Sequence, residues 1–156
     1  MNIVVTGASS GIGFELVKSF ALQNHNVLAV SRSKKKLLEL KQFSERIQVL
    51  AIDINKVNKN VISTSLSEMK VKHIDVLINN AGAAFSKFEK SRDGFEMTFA
   101  TNNLGCFLLT GLLLKAIQNS SSGRIINVSS HSHYRGKIDF SSISDAQGYS
   151  LMKSYE

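Results

Sequence analysis

Five short runs of apolar residues, rich in β-branched side chains, recur along the chain. They lie at residues 3–5, 27–30, 49–52, 76–78 and 125–128. Within each run the apolar positions are continuous rather than alternating, which is typical of strands buried on both faces of a sheet. We therefore predict five buried strands.

Longer stretches with helical spacing separate these runs. A repeated strand–helix alternation indicates a parallel sheet covered by helices on both faces. With right-handed crossovers this is the doubly wound, Rossmann-like α/β fold that binds dinucleotides. A length of 156 residues suits one such domain, residues 1–156. The residues that form the helical stripes are Ile12, Leu16, Val17 and Phe20, and then Leu37, Leu40 and Phe43.

The longest predicted helix spans about residues 93–119 and is apolar nearly all round. A helix of this kind is buried on more than one side. Two interpretations stay open: it is an ordinary core helix, or one side meets another subunit. Asn102 lies inside it, where an asparagine side chain competes for backbone hydrogen bonds, so we expect a specific polar role for it.

Composition narrows the function classes. The hydrophobic share of 43% and charged share of 20% exclude a disordered or fibrous protein. A net charge of +7 is compatible with nucleic acid, a membrane surface or a phosphate-rich ligand, but scattered lysines favour a solvated basic surface and no nucleic acid. Cys106 is the single cysteine and excludes an internal disulfide, which fits a cytoplasmic protein. The longest apolar stretch, 106–114, is too short for a membrane span.

A glycine-rich turn, residues 6–13 (TGASSGIG), follows the first strand and opens the first helix. Glycines let a backbone turn tightly and approach a pyrophosphate closely, and the helix N-terminus then offers free N–H groups. A purely structural turn would also explain the glycines. Its position at the start of an alternating pattern favours cofactor binding.

The second strand is followed by Ser31 and Arg32 and then by three lysines, 34–36. Folds that prefer NAD place an acidic residue here for the ribose 2′-hydroxyl. None is present, and cations at the start of the next helix oppose its dipole. We therefore predict NADP rather than NAD, with Arg32 and Ser31 at the 2′-phosphate. The lysines are interpreted as solvated surface.

Tyr149 and Lys153 form a YxxxK pair near the end of the chain. On a helix, residues four apart share one face, so the ammonium group would lie near the phenol. A nearby positive charge stabilises the phenolate, which makes Tyr149 a candidate general acid–base. Alone, such a pair is equally compatible with surface packing.

Taken in order, these motifs resemble the short-chain dehydrogenase/reductase family, in its GxxxGxG oxidoreductase branch, and loosely its retinol-dehydrogenase-like members. The resemblance covers essentially all of the chain. Its further motifs are Asp53 after the third strand, NNAG at 79–82, an Asn-x-x-Gly stretch at 102–105 and INVSS at 126–130.

The resemblance implies a cofactor site. The glycine-rich turn would hold the pyrophosphate, Asp53 and Ile54 would flank the adenine, and the NNAG motif would line the cofactor path. Tyr149 and Lys153 would also contact the cofactor. The residues carried over for the turn and the path are Gly7, Ser9, Ser10, Gly11, Ile12, Gly13, Asn80, Ala81 and Gly82.

The resemblance also implies four catalytic residues. Tyr149 would exchange a proton with the substrate oxygen while hydride moves at the nicotinamide. Ser130 would hydrogen-bond that oxygen, Lys153 would hold the nicotinamide ribose and favour ionisation of the tyrosine, and Asn102 would anchor a water that links Lys153 to solvent. The implied substrate is a small alcohol or carbonyl compound, lipophilic in the retinol-dehydrogenase-like members, and the implied assembly is a homo-oligomer.

Two departures from the family pattern matter. The connection from Ser130 to Tyr149 is long, which leaves the choice between Ser129 and Ser130 open with Ser130 favoured. It contains His131 and His133, which we interpret as solvated loop histidines rather than metal ligands. The family also continues past YxxxK with further strands and a substrate-binding segment, so the predicted fold is C-terminally incomplete, and we expect this chain to be inactive by itself.

The predicted function is that of an NADP(H)-dependent oxidoreductase that interconverts an alcohol and a carbonyl. Two alternatives stay open. One is a non-catalytic nucleotide-binding or redox-sensing module, and the other is an inactive truncated product.

Overall fold

A computed structural model of the chain describes residues 1–138, 140, 146 and 148–155. Its centre is a five-stranded parallel sheet in the order β3-β2-β1-β4-β5. This order and the all-parallel pairing confirm the predicted doubly wound, Rossmann-like fold. The strands are β1 Asn2–Thr6, β2 Asn26–Ser31, β3 Ile47–Ala51, β4 Val76–Asn79 and β5 Arg124–Asn127.

Helices connect successive strands, and two core clusters show that both faces of the sheet are covered. On one face Val5 packs with Val17 and Leu37. On the other face the neighbouring Val4 packs with Leu113. Successive strand residues point to opposite faces, so a continuous apolar run fills both clusters. The helices are α1 Gly11–Leu22, α2 Lys34–Leu40, α3 Lys59–Glu68, α4 Met97–Phe99, α5 Gly105–Gln118 and α6 Leu151–Tyr155.

Shorter helical turns complete the described part of the chain. Ile54–Lys56 and His131–Arg135 are 3₁₀ helices, and Ala100–Leu104 is a π-helical turn that joins α4 to α5. The long helix therefore begins at residue 97 rather than 93. The Glu96 carboxylate sets this start, because its two oxygens accept hydrogen bonds from Thr98 N at 2.8 Å and Phe99 N at 2.7 Å.

The prediction that all five strands are buried is wrong for β5 and holds only in part for β3, where Ile47 is buried and Ala51 is exposed. All four residues of β5 are exposed, with Ile125 at 39% and Ile126 at 46% of their maximal accessible area. β5 is an edge strand, like β3, and among the described residues it is hydrogen-bonded only to β4. Neither core cluster includes one of its residues. Its apolar sequence is that of an inner strand, whereas its surroundings are those of an edge.

The long helix is also buried on one side only. Leu109, Leu113 and Ile117 face the sheet, while Phe107 is 81% exposed and Leu114 is 43% exposed. By length and composition the 22-residue helix Met97–Gln118 could cross a membrane. Only 28% of its apolar window is buried, and the buried residues pack against the sheet. The absence of a membrane span therefore stays a prediction.

Asp75 joins three segments at the amino edge of the sheet. Its carboxylate accepts hydrogen bonds from Asn2 N at 2.7 Å and from Ser120 Oγ at 2.6 Å. Burial raises the pKa of this carboxyl, but the bonds from Ser120 and Asn2 and the nearby His73 outweigh it, so the pKa lies below its ordinary value. These bonds fix β1, β4 and the turn before β5 relative to one another.

Candidate functional site

A cavity of about 540 Å³ opens at the carboxyl edge of the sheet, where β1, β2 and β4 end. In a doubly wound sheet this edge, next to the reversal of strand order, is where ligands bind. Most of the predicted cofactor residues line the cavity. They are Gly7, Ser9, Ser10, Ile12, Ser31, Arg32, Asp53, Ile54, Asn80, Ala81 and Gly82.

The remaining two turn residues, Gly11 and Gly13, lie beside the cavity without lining it. Gly7 and Gly11 have φ angles of +68° and +55°, the left-handed region that favours glycine. A Cβ on Gly7 would lie 2.8 Å from the side-chain Nδ2 of Asn80, whereas a Cβ on Gly11 would meet nothing within 4 Å. The turn is thus tight on its protein side and open where a ligand would lie.

The first turn of α1 offers its backbone N–H groups to a ligand. The side chain of the N-cap residue Ser10 accepts no hydrogen bond from the helix, and the first turn holds no acidic residue. These N–H groups and the positive end of the helix dipole favour an anion. The turn therefore fits the pyrophosphate of a dinucleotide.

Gly13→Ala is expected to destabilise the domain by roughly 1–3 kcal/mol, the cost of forcing a methyl group into a filled site. The added Cβ would lie 2.5 Å from the carbonyl oxygen of Gly7 and 2.6 Å from the Asn80 amide. Gly111→Ala is the matched control, since a Cβ there meets nothing within 4 Å and alanine favours a helix. Urea unfolding monitored by circular dichroism would measure both, and an unchanged midpoint for Gly13→Ala would contradict this packing.

Thr6 positions the NNAG segment and was missed as a site residue. Its hydroxyl oxygen accepts hydrogen bonds from Asn80 N and Ala81 N, both at 2.9 Å. In return the Asn80 side chain donates to the Thr6 carbonyl at 2.9 Å. Thr6 is fully buried and also lines the cavity. Its place as the first residue of TGASSGIG was the available signal.

The end of β2 presents a basic wall to the cavity. Arg32 and Lys36 both line it, together with Ser31 and Ser33. Ser33 caps α2, because its hydroxyl accepts a hydrogen bond from Lys36 N. Lys34, Lys35 and Lys36 are all exposed, as expected for solvated surface. Lys36 in addition lines the cavity, because the first turn of α2 carries it back there. Lys34 and Lys35 do not line it.

Asp53 and Ile54 form another wall. The Asp53 carboxylate accepts a hydrogen bond from Asn55 N at 3.0 Å and so caps the short 3₁₀ helix. Ile54 is buried against α5, where a Cβ on Gly105 would come within 2.9 Å of it. Both residues thus have structural partners on the side facing away from the cavity.

Asn102 occupies the π-helical turn, a feature that is frequent at functional sites. Its side chain pairs with the backbone of Ala83, accepting from the N–H at 2.8 Å and donating to the carbonyl at 2.9 Å. The specific polar role expected for Asn102 is therefore to hold the backbone of Ala83, directly after the NNAG motif. A role in anchoring a water to Lys153 stays a prediction.

Ser130 follows β5 and caps the 3₁₀ helix His131–Arg135, with its hydroxyl accepting from Ser132 N at 3.2 Å. Ser130 is partly buried, whereas Ser129 is exposed. Ser130 therefore remains the preferred candidate.

Tyr149 and Lys153 are placed differently from the prediction. Tyr149 precedes α6, so the two residues do not share a helix face here. The Tyr149 hydroxyl donates to the Phe85 carbonyl at 2.6 Å and lies 3.3 Å from a Glu96 oxygen. Lys153 is exposed. In the described part of the chain, no hydrogen bond joins Tyr149 to Ser130 or Lys153, and neither lines the cavity.

The two loop histidines pack against the same aromatic ring and do not form a metal site with other described residues. His131 and His133 lie against the ring of Tyr134, with centroids 5.1 Å and 4.2 Å away. Among residues 1–138, 140, 146 and 148–155, no three histidine, cysteine or acidic side chains cluster as metal ligands. The absence of a metal ion stays a prediction.

Comparison with known proteins places this geometry in a family. A family model described as short chain dehydrogenase matches residues 1–143. Retinol dehydrogenase 11 of Homo sapiens is 34% identical over 159 aligned positions, which cover 98% of this chain and 50% of the relative. Short-chain dehydrogenase TIC 32 A, chloroplastic, of Brassica napus is 35% identical over 170 positions, 99% of this chain and 53% of the relative.

Among solved structures, the closed form of serine dehydrogenase complexed with NADP+ matches with a TM-score of 0.67 and 30% identity. The match covers 86% of this chain and 56% of that one. The chain spans about half the length of the curated relatives that it matches. From its motifs, its sheet and these matches, this chain belongs to the short-chain dehydrogenase family.

Proposed function

We propose that the protein is an NADP(H)-dependent oxidoreductase that interconverts an alcohol and a carbonyl compound. One observation carries the cofactor preference: Arg32 and Lys36 share a cavity wall at the end of β2, where NAD-preferring folds place an acid. Two cations there suit the 2′-phosphate that distinguishes NADP from NAD. The relative solved with NADP+ supports the same assignment.

The cofactor would lie along the carboxyl edge of the sheet. The free N–H groups of α1 would hold its pyrophosphate. Asp53 and Ile54 would flank its adenine, and Asn80, Ala81 and Gly82 would line its path to the reacting end. When bound, NADP would supply the hydride-carrying nicotinamide.

The chain's own residues would manage the proton. Tyr149 would exchange a proton with the substrate oxygen, and Ser130 would hydrogen-bond that oxygen. Lys153 would hold the ribose and favour the tyrosinate, because a nearby ammonium stabilises a phenolate. Asn102, fixed by the Ala83 backbone, would anchor the water that supplies protons to Lys153.

The substrate would be a small alcohol or carbonyl, and the name of the human relative favours a lipophilic one such as a retinoid. The uncovered face of α5, with Phe107 81% exposed, suits a homo-oligomer. A cytoplasmic location without a nucleic-acid partner completes the proposal.

The direct test is to purify the protein as its source cell produces it and to follow NADPH oxidation at 340 nm with retinal and with short aldehydes. We expect turnover with NADPH well above that with NADH. A protein that binds NADPH, but neither oxidises NADPH with any carbonyl nor reduces NADP+ with any alcohol, would contradict the enzymatic proposal.

Lys36→Ala is expected to weaken NADPH binding by about 10-fold, the loss of one charge-assisted contact to a phosphate. NADH binding should stay within about 2-fold, since NADH lacks the 2′-phosphate. Lys35→Ala is the matched control, because it removes the same charge from the same helix outside the cavity wall. The change in NADPH or NADH fluorescence on titration measures the affinity of each variant for each cofactor. Equal losses of NADPH affinity for Lys35→Ala and Lys36→Ala would show that net charge, and not a contact from Lys36, causes the effect.

One observation favours a second candidate, a non-catalytic nucleotide-binding module. The Tyr149 hydroxyl is bonded to the Phe85 carbonyl and not to Ser130 or Lys153 among the described residues, so the proton-handling set is not assembled here. NADPH binding with tight affinity but no turnover, in the protein as its cell makes it, would support this alternative.

A further inference from the structure

The segment that follows β5 holds Ser130 by more than its own helix cap. The Ser130 hydroxyl accepts from Ser132 N at 3.2 Å, and the Ser130 carbonyl accepts from His133 N at 3.2 Å. A third contact comes from a side chain, because His133 Nδ1 lies 2.6 Å from the same carbonyl oxygen. Both the side chain and the peptide of Ser130 are therefore held.

The partner of His133 fixes its proton. A carbonyl oxygen only accepts hydrogen bonds, so Nδ1 must carry the hydrogen. The ring also lies against Tyr134, with centroids 4.2 Å apart and planes inclined by 32°. His131 contacts the same Tyr134 ring from 5.1 Å, but its side chain makes no hydrogen bond to Ser130 in the described part of the chain.

These contacts determine which hydrogen bonds the Ser130 hydroxyl can still make. A hydroxyl has one proton to donate and two lone pairs. The backbone N–H of Ser132 occupies a lone pair, which leaves the proton free to point at a substrate oxygen. The position of the hydroxyl oxygen depends on the Ser130 backbone, whose carbonyl the His133 side chain contacts.

We propose that His133 is a positioning residue for Ser130, orienting the serine hydroxyl as a donor to the substrate oxygen. The inference rests on the proposed function, since it assigns a task to Ser130 within it. It gives a role to a loop histidine whose spacing from His131 invites a metal-site interpretation. It also separates the two histidines, because His133 acts on Ser130 and His131 does not.

Two substitutions separate the hydrogen bond from the ring contact. His133→Phe keeps a ring against Tyr134 and removes the donor. His133→Asn removes the ring but places its side-chain nitrogen where Nδ1 lies. We expect His133→Phe to lower kcat about 10-fold with an unchanged KM for NADPH, and His133→Asn to stay within about 2-fold. His131→Phe is the control and should leave kcat unchanged.

A cycle with Ser130→Ala completes the test. If His133 acts through Ser130, adding His133→Phe to Ser130→Ala should lower kcat by less than 2-fold further. A full 10-fold further loss, or equal losses for the Phe and Asn variants, would overturn the proposal in favour of general loop packing.

A readout without turnover keeps this inference separate from the proposed function. Nitrogen-15 shifts of the His133 ring should report the Nδ1–H tautomer in the labelled protein, and an Nε2–H tautomer would overturn the assignment. A protein that shows the Nδ1–H tautomer but no turnover would contradict the proposed function. It would then also contradict the catalytic role of Ser130.

Discussion

In the full-length protein as its source cell produces it, Tyr149→Phe is expected to lower kcat about 1,000-fold, within the range that a general acid–base contributes. The substitution removes only the hydroxyl oxygen and its proton, so hydride transfer loses its proton partner. Cofactor affinity should be nearly unchanged, because Tyr149 does not line the cavity that would hold the dinucleotide. Turnover and NADPH titration on the same preparation would separate these two effects.

Tyr155→Phe, in α6 a few residues further on, is the matched control and should retain full turnover. If Tyr149→Phe kept more than a tenth of the activity, the proton would have to come from another group. The structure adds a condition, because the Tyr149 hydroxyl donates to the Phe85 carbonyl at 2.6 Å. That bond must open before the phenol can reach a substrate.

Arg32→Asp should weaken NADPH binding about 100-fold while changing NADH binding only a few-fold. The substitution replaces an attraction to the 2′-phosphate by a repulsion at the exposed cavity wall, and the 100-fold change corresponds to about 2.8 kcal/mol. NADH has no 2′-phosphate, and an aspartate can accept a hydrogen bond from its ribose hydroxyl. The measured quantity is the ratio of the two dissociation constants.

Arg46→Asp makes the same change of charge at the amino edge of the sheet, where Arg46 lines a different cavity. It should leave the ratio unchanged. If Arg32→Asp lowered the affinity for the two cofactors equally, the proposed contact of Arg32 with the 2′-phosphate would be wrong. The main argument for NADP over NAD would then be lost.

The sheet was predictable because each strand carries a continuous apolar run. Val4 and Val5 face opposite core clusters, so both must be apolar, and this leaves a strong signal in the sequence. β5 has the same signal with a different outcome, since Ile125 and Ile126 are exposed. A sequence pattern reports what a segment can bury, whereas exposure depends on what covers it.

The site was predictable where backbone geometry requires a particular residue. Gly7 needs its positive φ and close approach to Asn80, and the motif spacing reflects this directly. Lys36 was not predictable, because only the capped first turn of α2 brings it and not Lys35 to the cavity. The position of Tyr149 depends on contacts with Phe85 and Glu96, far away in sequence.

The π-helical turn changes which face each residue of the long helix presents. A π turn holds one residue more than an α turn, and each residue of a helix advances the wheel by about 100°. A single helical wheel drawn through Met97–Gln118 is therefore out of phase on one side of Ala100–Leu104. A wheel drawn in the phase of α5 would therefore assign Met97–Phe99 to the wrong face of the helix.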